Sequence, residues 1–74
     1  MGEATAELNI RINGQPERLI VATLAALLEE KAVDIHQRGI AVAVNGAIVP
    51  RAAWTDTKLR AGDSIEIVSA RQGG

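Results

Sequence analysis

The side chains with reactive potential in this sequence are few: one histidine, His36, two serines, Ser64 and Ser69, and no cysteine. The missing cysteine removes a thiolate nucleophile, a thiolate-bound metal, a disulfide and a side-chain persulfide together. His36 stands in the polar run His36-Gln37-Arg38-Gly39 with no serine or carboxylate pair beside it, so it reads as a solvated loop residue rather than a general base. Ser64 and Ser69 lie in or beside an apolar strand pattern and have no nucleophile elbow around them. Gly39, Gly46 and Gly62 are separate turn residues, not a phosphate-cradling loop, and no His or carboxylate set has metal-ligand spacing. The expected catalytic and metal residues are therefore none. What remains is the end of the chain. Gly73-Gly74 puts an α-carboxylate on two residues without Cβ atoms, so flanking backbone can approach closely. Residues 70–74 carry no apolar anchor, read as a flexible tail and span roughly 17 Å when extended. Such a tail can thread a narrow channel in another protein; the competing reading is an inert, frayed terminus.

The body that presents this tail is small. In 74 residues one domain fits and a second does not, so residues 1–74 are read as a single domain. The apolar content is 47%, drawn from 13 Ala, 8 Ile, 6 Leu and 6 Val with one Trp and no Phe or Tyr. A core of this kind offers no aromatic platform for stacking bases, and a net charge of -1 supplies no basic excess for phosphates. Nucleic acid is not an expected partner. The longest apolar run, Ile40-Ala41-Val42-Ala43-Val44, falls far short of the roughly 20 residues that span a bilayer. With an acidic, non-greasy start, a cytoplasmic protein without membrane association is expected.

Leu8, Ile10 and Ile12 alternate with polar residues, the period of a strand with one buried face. Asn13-Gly14 then supplies a hairpin turn, and Arg18-Leu19-Ile20-Val21 is expected as the returning strand, with Pro16 at an edge. Thr23 precedes Leu24, Leu27 and Leu28 and is expected to cap a helix that ends near Ala32 to Asp34. Ala41–Val44 is a third strand with Val42 and Val44 inward; Asn45-Gly46 is a second turn, and Ala47-Ile48-Val49 a short strand stopped by Pro50. Residues 51–57 are irregular, with room for one helical turn around Trp54. Ser64–Val68, with Ile65, Ile67 and Val68, is expected at the centre of the sheet. The order β-β-α-β-β-β predicts an α+β fold, one helix on a four- to five-stranded mixed sheet; the strand order stays open on pattern alone.

Val44-Asn45-Gly46-Ala47-Ile48-Val49-Pro50-Arg51 followed by Trp54 closely resembles the V-N-G-x-I-V-P-R-x-x-W segment of the ThiS family of thiamin-biosynthesis sulfur carriers. Leu59, Gly62-Asp63, Ile65–Val68 and the terminal Gly73-Gly74 match the rest of that family's C-terminal half, while the first strand fits more loosely. The resemblance covers residues 8–74. The departures are about seven extra residues ahead of the first strand and Arg71-Gln72 where family tails are often small or apolar. It implies a ubiquitin-like β-grasp fold and a cycle run at Gly74. A ThiF-type adenylating enzyme activates the carboxylate with its own ATP and magnesium, a sulfur donor such as a cysteine desulfurase supplies sulfur, and the thiocarboxylate serves a ThiG-type thiazole synthase. No cofactor is bound by the chain itself. Gly73, Gln72 and Arg71 would thread the partner. Arg51, Trp54, Ile20 and Val68 are candidate interface residues, each with a plainer reading. Trp54 covers one end of the sheet beside Pro50, Arg51 is solvated, and the orientation of the two aliphatics is open. The alternatives are a small subunit of molybdopterin synthase and a ubiquitin-like modifier conjugated through Gly74.

Overall fold

The computed structural model describes residues 7–69. Strands β1 (Leu8–Ile12) and β2 (Gln15–Leu19) form the opening hairpin, followed by helix α1 (Leu24–Glu30). Strands β3 (Ile40–Val44) and β4 (Ala47–Ile48), a 3₁₀ segment (Arg51–Asp56) and strand β5 (Ser64–Ser69) complete the order. The five strands make one mixed sheet, β2-β1-β5-β3-β4. β5 runs parallel to β1 and antiparallel to β3, so the last strand is central as expected, although its neighbour β3 is the more apolar of the two. One helix on one face of this sheet is the β-grasp arrangement.

The core follows from register. Ile10 and Ile12 of β1, Val42 of β3 and Ile65 of β5 project from the same face and are buried with Leu24, Leu27 and Leu28 of α1. The helix is only seven residues long, too short to persist alone, so its three leucines at helical spacing depend on the sheet. Its start is fixed as expected: the Ala26 N–H donates to Thr23 Oγ1 at 3.2 Å. A second free donor, the Leu24 N–H, reaches the Thr57 carbonyl at 2.9 Å.

Three expectations are corrected. The second strand is Gln15–Leu19 rather than 18–21, because a two-residue turn returns the chain at once; Pro16 sits on the outer strand, where a missing N–H costs no ladder bond. β4 stops at Ile48, one residue short: the Val49 N–H still makes the in-register bond to Val42 O, but the Val49 carbonyl accepts from Trp54 Nε1 at 2.9 Å and Pro50 follows. The helix stops at Glu30, because Ala32 takes a φ of +63°. The Val33 N–H then donates to Leu28 O at 2.8 Å and the Ala32 N–H to Glu29 O at 3.0 Å, the paired bonds of a Schellman ending with alanine in the position that glycine usually fills. Lys31, at this end, bonds both carboxylate oxygens of Glu17 on β2, at 2.8 and 3.0 Å.

Candidate functional site

Residues 70–74 follow β5 in sequence, so what holds that strand fixes the point from which the chain continues to Gly74. Both Asn-Gly turns contribute more than their bend. Asn13 and Asn45 each have a φ of +53°, followed by Gly14 at +83° and Gly46 at +86°, the two positive angles of a type I′ turn. The Asn13 N–H donates to the Ile65 carbonyl at 2.8 Å, and the Ile67 N–H donates to Asn13 Oδ1 at 2.8 Å. In a parallel ladder the second bond would go to the backbone carbonyl of residue 13, which the turn has carried away. The side-chain carbonyl takes its place. The same substitution occurs at the other end of the strand. There the Asn45 N–H donates to Ser64 O at 2.7 Å, and the Ser64 N–H donates to Asn45 Oδ1 at 2.9 Å. Asn45 Nδ2 also donates to Asp63 Oδ1 at 3.0 Å, and Asp63 Oδ2 accepts from the Arg60 N–H at 2.8 Å. The central strand is thus clamped at root and tip by one side chain from each turn. Sequence reading identifies both turns but not these bonds, since the acceptor's destination depends on strand order.

The sheet face turned away from the helix is divided. Over β1 and β2 it is polar, with Asn9 opposite Arg18. Over β5, β3 and β4 it is largely apolar, Glu66 and Ser64 of β5 excepted: Val68 lies opposite Ala41, and Ala43 lies opposite Ile48. Val68 is 60% exposed and Ile48 70%, so two large aliphatics stand in water beside the tail's root, with Glu66 between them on the same face. Ile48 was not singled out from the sequence; its parity with Ala43 across the second turn is the signal that could have found it.

The remaining candidate residues separate. Ile20 is 57% exposed but lies one step outside the Leu8–Leu19 pair, whereas Val68 lies four steps beyond the Arg11–Ser64 pair. Along the strands that is roughly 26 Å, so the two do not share a patch. Trp54 is 3% exposed and packs into the core, its Nε1–H donating to Val49 O at 2.9 Å; the covering reading describes its place, and the ring is not a surface anchor. Arg51 is exposed yet tethered: its guanidinium donates to the carbonyls of Ile35 and Gln37 and lies 4.6 Å from the Trp54 ring centroid. It ties the 3₁₀ segment to the loop after α1, which departs from the freely solvated reading. Arg71, Gln72, Gly73 and Gly74 lie outside the described residues.

His36 is an exposed loop residue whose backbone N–H donates to Asp34 Oδ1 at 2.9 Å. Among the described residues no three His, Asp or Glu side chains gather as metal ligands, and no helix is long and apolar enough to cross a membrane. An open groove lined by Asn9, Ile10, Pro16, Glu17 and Arg18 brings no nucleophile and base together.

Comparison with known proteins agrees with this arrangement. The chain is 38% identical over 63 residues to the sulfur carrier protein ThiS of Thermus thermophilus, covering 85% of this chain and 95% of that protein. The crystal structure of the thiamine biosynthesis protein ThiS from Geobacter metallireducens superposes with a TM-score of 0.74 at 27% identity, covering 90% of this chain and 100% of the other. The solution NMR structure of a thiamine biosynthesis protein from the same organism gives the same TM-score and identity over 90% of this chain and 88% of its own. The ThiS family model matches residues 10–74, a span that runs from the first buried strand through the terminal glycines, and the chain belongs to the ThiS family.

Proposed function

We propose that this chain is a sulfur carrier protein of thiamin biosynthesis and that its working group is the α-carboxylate of Gly74. The observation that carries the reading is the family match, which extends through Gly73-Gly74. A carboxylate is a poor electrophile. A ThiF-type partner joins a Gly74 carboxylate oxygen to the α-phosphorus of ATP, releasing pyrophosphate, with magnesium held by the partner. The acyl-adenylate now has AMP as its leaving group. The persulfide of a donor such as a cysteine desulfurase attacks the carbonyl carbon through its outer sulfur and AMP departs, leaving an acyl disulfide to the donor cysteine. An external thiol then attacks the donor-side sulfur, so that the S–S bond breaks, a disulfide forms between thiol and donor, and the thiocarboxylate leaves on Gly74. A ThiG-type thiazole synthase then takes that sulfur. The absence of cysteine means that no internal thiol competes for the activated carbonyl.

The body's part is presentation. Val68 and Ile48, with Ala41 and Ala43 between them, form the apolar ground on which a partner docks beside the tail, while Gln72 and Gly73 thread toward the nucleotide and Arg71 meets partner charge. A central strand clamped at both ends supports this reading, because a fixed root shortens the search of a short tail for its channel.

The test is the intact mass after incubation with the adenylating partner, ATP and a sulfur source. One oxygen-to-sulfur exchange at Gly74 is expected, and the variant lacking Gly73 and Gly74 gains nothing while melting within about 2 °C of wild type, since chain ends bury little. An unchanged wild-type mass beside an active partner refutes the reading. Ladders of higher mass on a denaturing gel would mark a protein modifier instead, and sulfur delivery only to a molybdopterin synthase large subunit would mark the other carrier class.

A further inference from the structure

The geometry points to Asn13 as a positioning residue for the reactive tail, acting through β5; this rests on the sulfur-carrier reading above. β1 ends at Ile12, whereas β5 continues to Ser69. Beyond Ile65 the strand therefore has β3 on one side only, where Ile40 pairs with Ser69. On the other side, the Ile67 N–H bond to Asn13 Oδ1 at 2.8 Å carries the pairing one step further, and it is the bond on that side nearest to the tail among the described residues. A strand held along one edge swings about that edge; a bond on the opposite edge stops the swing. Asn13 is suited to this because its backbone must adopt a φ of +53° to make the turn, which asparagine tolerates, and its short amide then projects back over the ladder. Asn45 performs the same substitution at Ser64, the end of β5 remote from the tail. Two similar clamps on one strand, at unequal distances from the reacting group, provide an internal control.

The experiment compares Asn13→Gly, Asn13→Asp and Asn45→Gly. Glycine keeps the positive φ of either turn without strain and removes only the side chain, so the variants fold. Aspartate keeps an acceptor oxygen at position 13. Two readouts are taken: backbone order parameters of Val68 and Ser69 by NMR, and KM against kcat for ATP–pyrophosphate exchange by the adenylating partner. Asn13→Gly is expected to lower both order parameters and raise KM about fivefold at unchanged kcat, the signature of lost positioning that does not alter the chemical step; the factor follows from losing one neutral hydrogen bond. Asn13→Asp is expected within about twofold of wild type, on the same reasoning. Asn45→Gly is expected to lose at least as much thermal stability with KM and the tail-end order parameters unchanged. If the two glycine variants raise KM together, the effect is general loosening and the proposal is overturned. The same holds if Asn13→Gly leaves KM and the Ser69 order parameter at wild-type values. A wild-type protein that supports no exchange would instead refute the sulfur-carrier reading, and the order parameters would still decide the role of Asn13.

Discussion

Replacing Ala32 with glycine is expected to stabilise the protein, although glycine is a poor helix residue. Ala32 has a φ of +63° at the end of α1, where the Schellman bonds from Ala32 and Val33 close the helix. An L-residue in this region costs about 1–2 kcal/mol. Glycine removes that cost, and its greater freedom in the unfolded chain takes back about 0.4–1 kcal/mol. The Ala32 methyl is exposed, so no burial is lost. The net gain is about 0–1.6 kcal/mol, centred near 0.8, and that central value raises Tm by about 3–6 °C in a domain of this size. Thermal unfolding followed by far-UV circular dichroism measures the shift, and urea unfolding should show a higher midpoint at unchanged slope. The sign is decisive. Were residue 32 a continuation of the helix, as the run Leu24 to Asp34 suggests by itself, glycine would cost about 1 kcal/mol and Tm would fall. A lower Tm refutes the described ending and the reasoning built on it.

Further outcomes follow from the core and the open face. Leu27→Ala removes a fully buried side chain between α1 and the sheet and is expected to destabilise by about 2–5 kcal/mol, read as a lower urea midpoint. Ile48→Asp, at a 70% exposed site, is expected to change stability by less than about 0.5 kcal/mol. The same substitution should weaken binding to the adenylating partner by about tenfold, measured by isothermal titration, since burying an aspartate against an apolar surface forfeits the contact and desolvates a charge. Ile20→Asp, roughly 26 Å along the strands from Val68, should leave that affinity unchanged.

The parts of this fold legible in the sequence are those decided within a few residues. Thr23 before three leucines at helical spacing, Asn-Gly at both turns and the alternation of Leu8, Ile10 and Ile12 each carry a local physical cause, and each stands where it was expected. The central place of β5 agrees with expectation, but apolar content alone does not decide it, since β3 is wholly apolar and is also flanked on both sides. The helix end was not, since Ala32 gives no composition cue for a left-handed conformation that tertiary packing imposes. Nor were the partners of Arg51. A guanidinium bonded to the Ile35 and Gln37 carbonyls requires the 3₁₀ segment to meet the loop after α1, which no local pattern encodes. The candidate site divides likewise. The sequence offers its Gly-Gly terminus as the candidate group, which lies outside the described residues, while the division of Val68 from Ile20, the pairing of Ile48 with Val68 on one face and the use of Asn13 and Asn45 as ladder members all depend on register.

Placing the last-made strand in the middle of the sheet has a kinetic consequence. During synthesis the β1–β2 hairpin and the β3–β4 pair can each form early, but they have no hydrogen bonds to each other until residues 64–69 arrive between them. The contacts that close the sheet join residue 11 to residue 64 and residue 12 to residue 65, spanning most of the chain, so closure is a late and comparatively slow event. A nascent chain stalled short of β5 leaves β1 and β3 with open edges, the condition that exposes a chain to mispairing and to quality control. Closure of the sheet thereby waits on the strand that leads into the proposed working group.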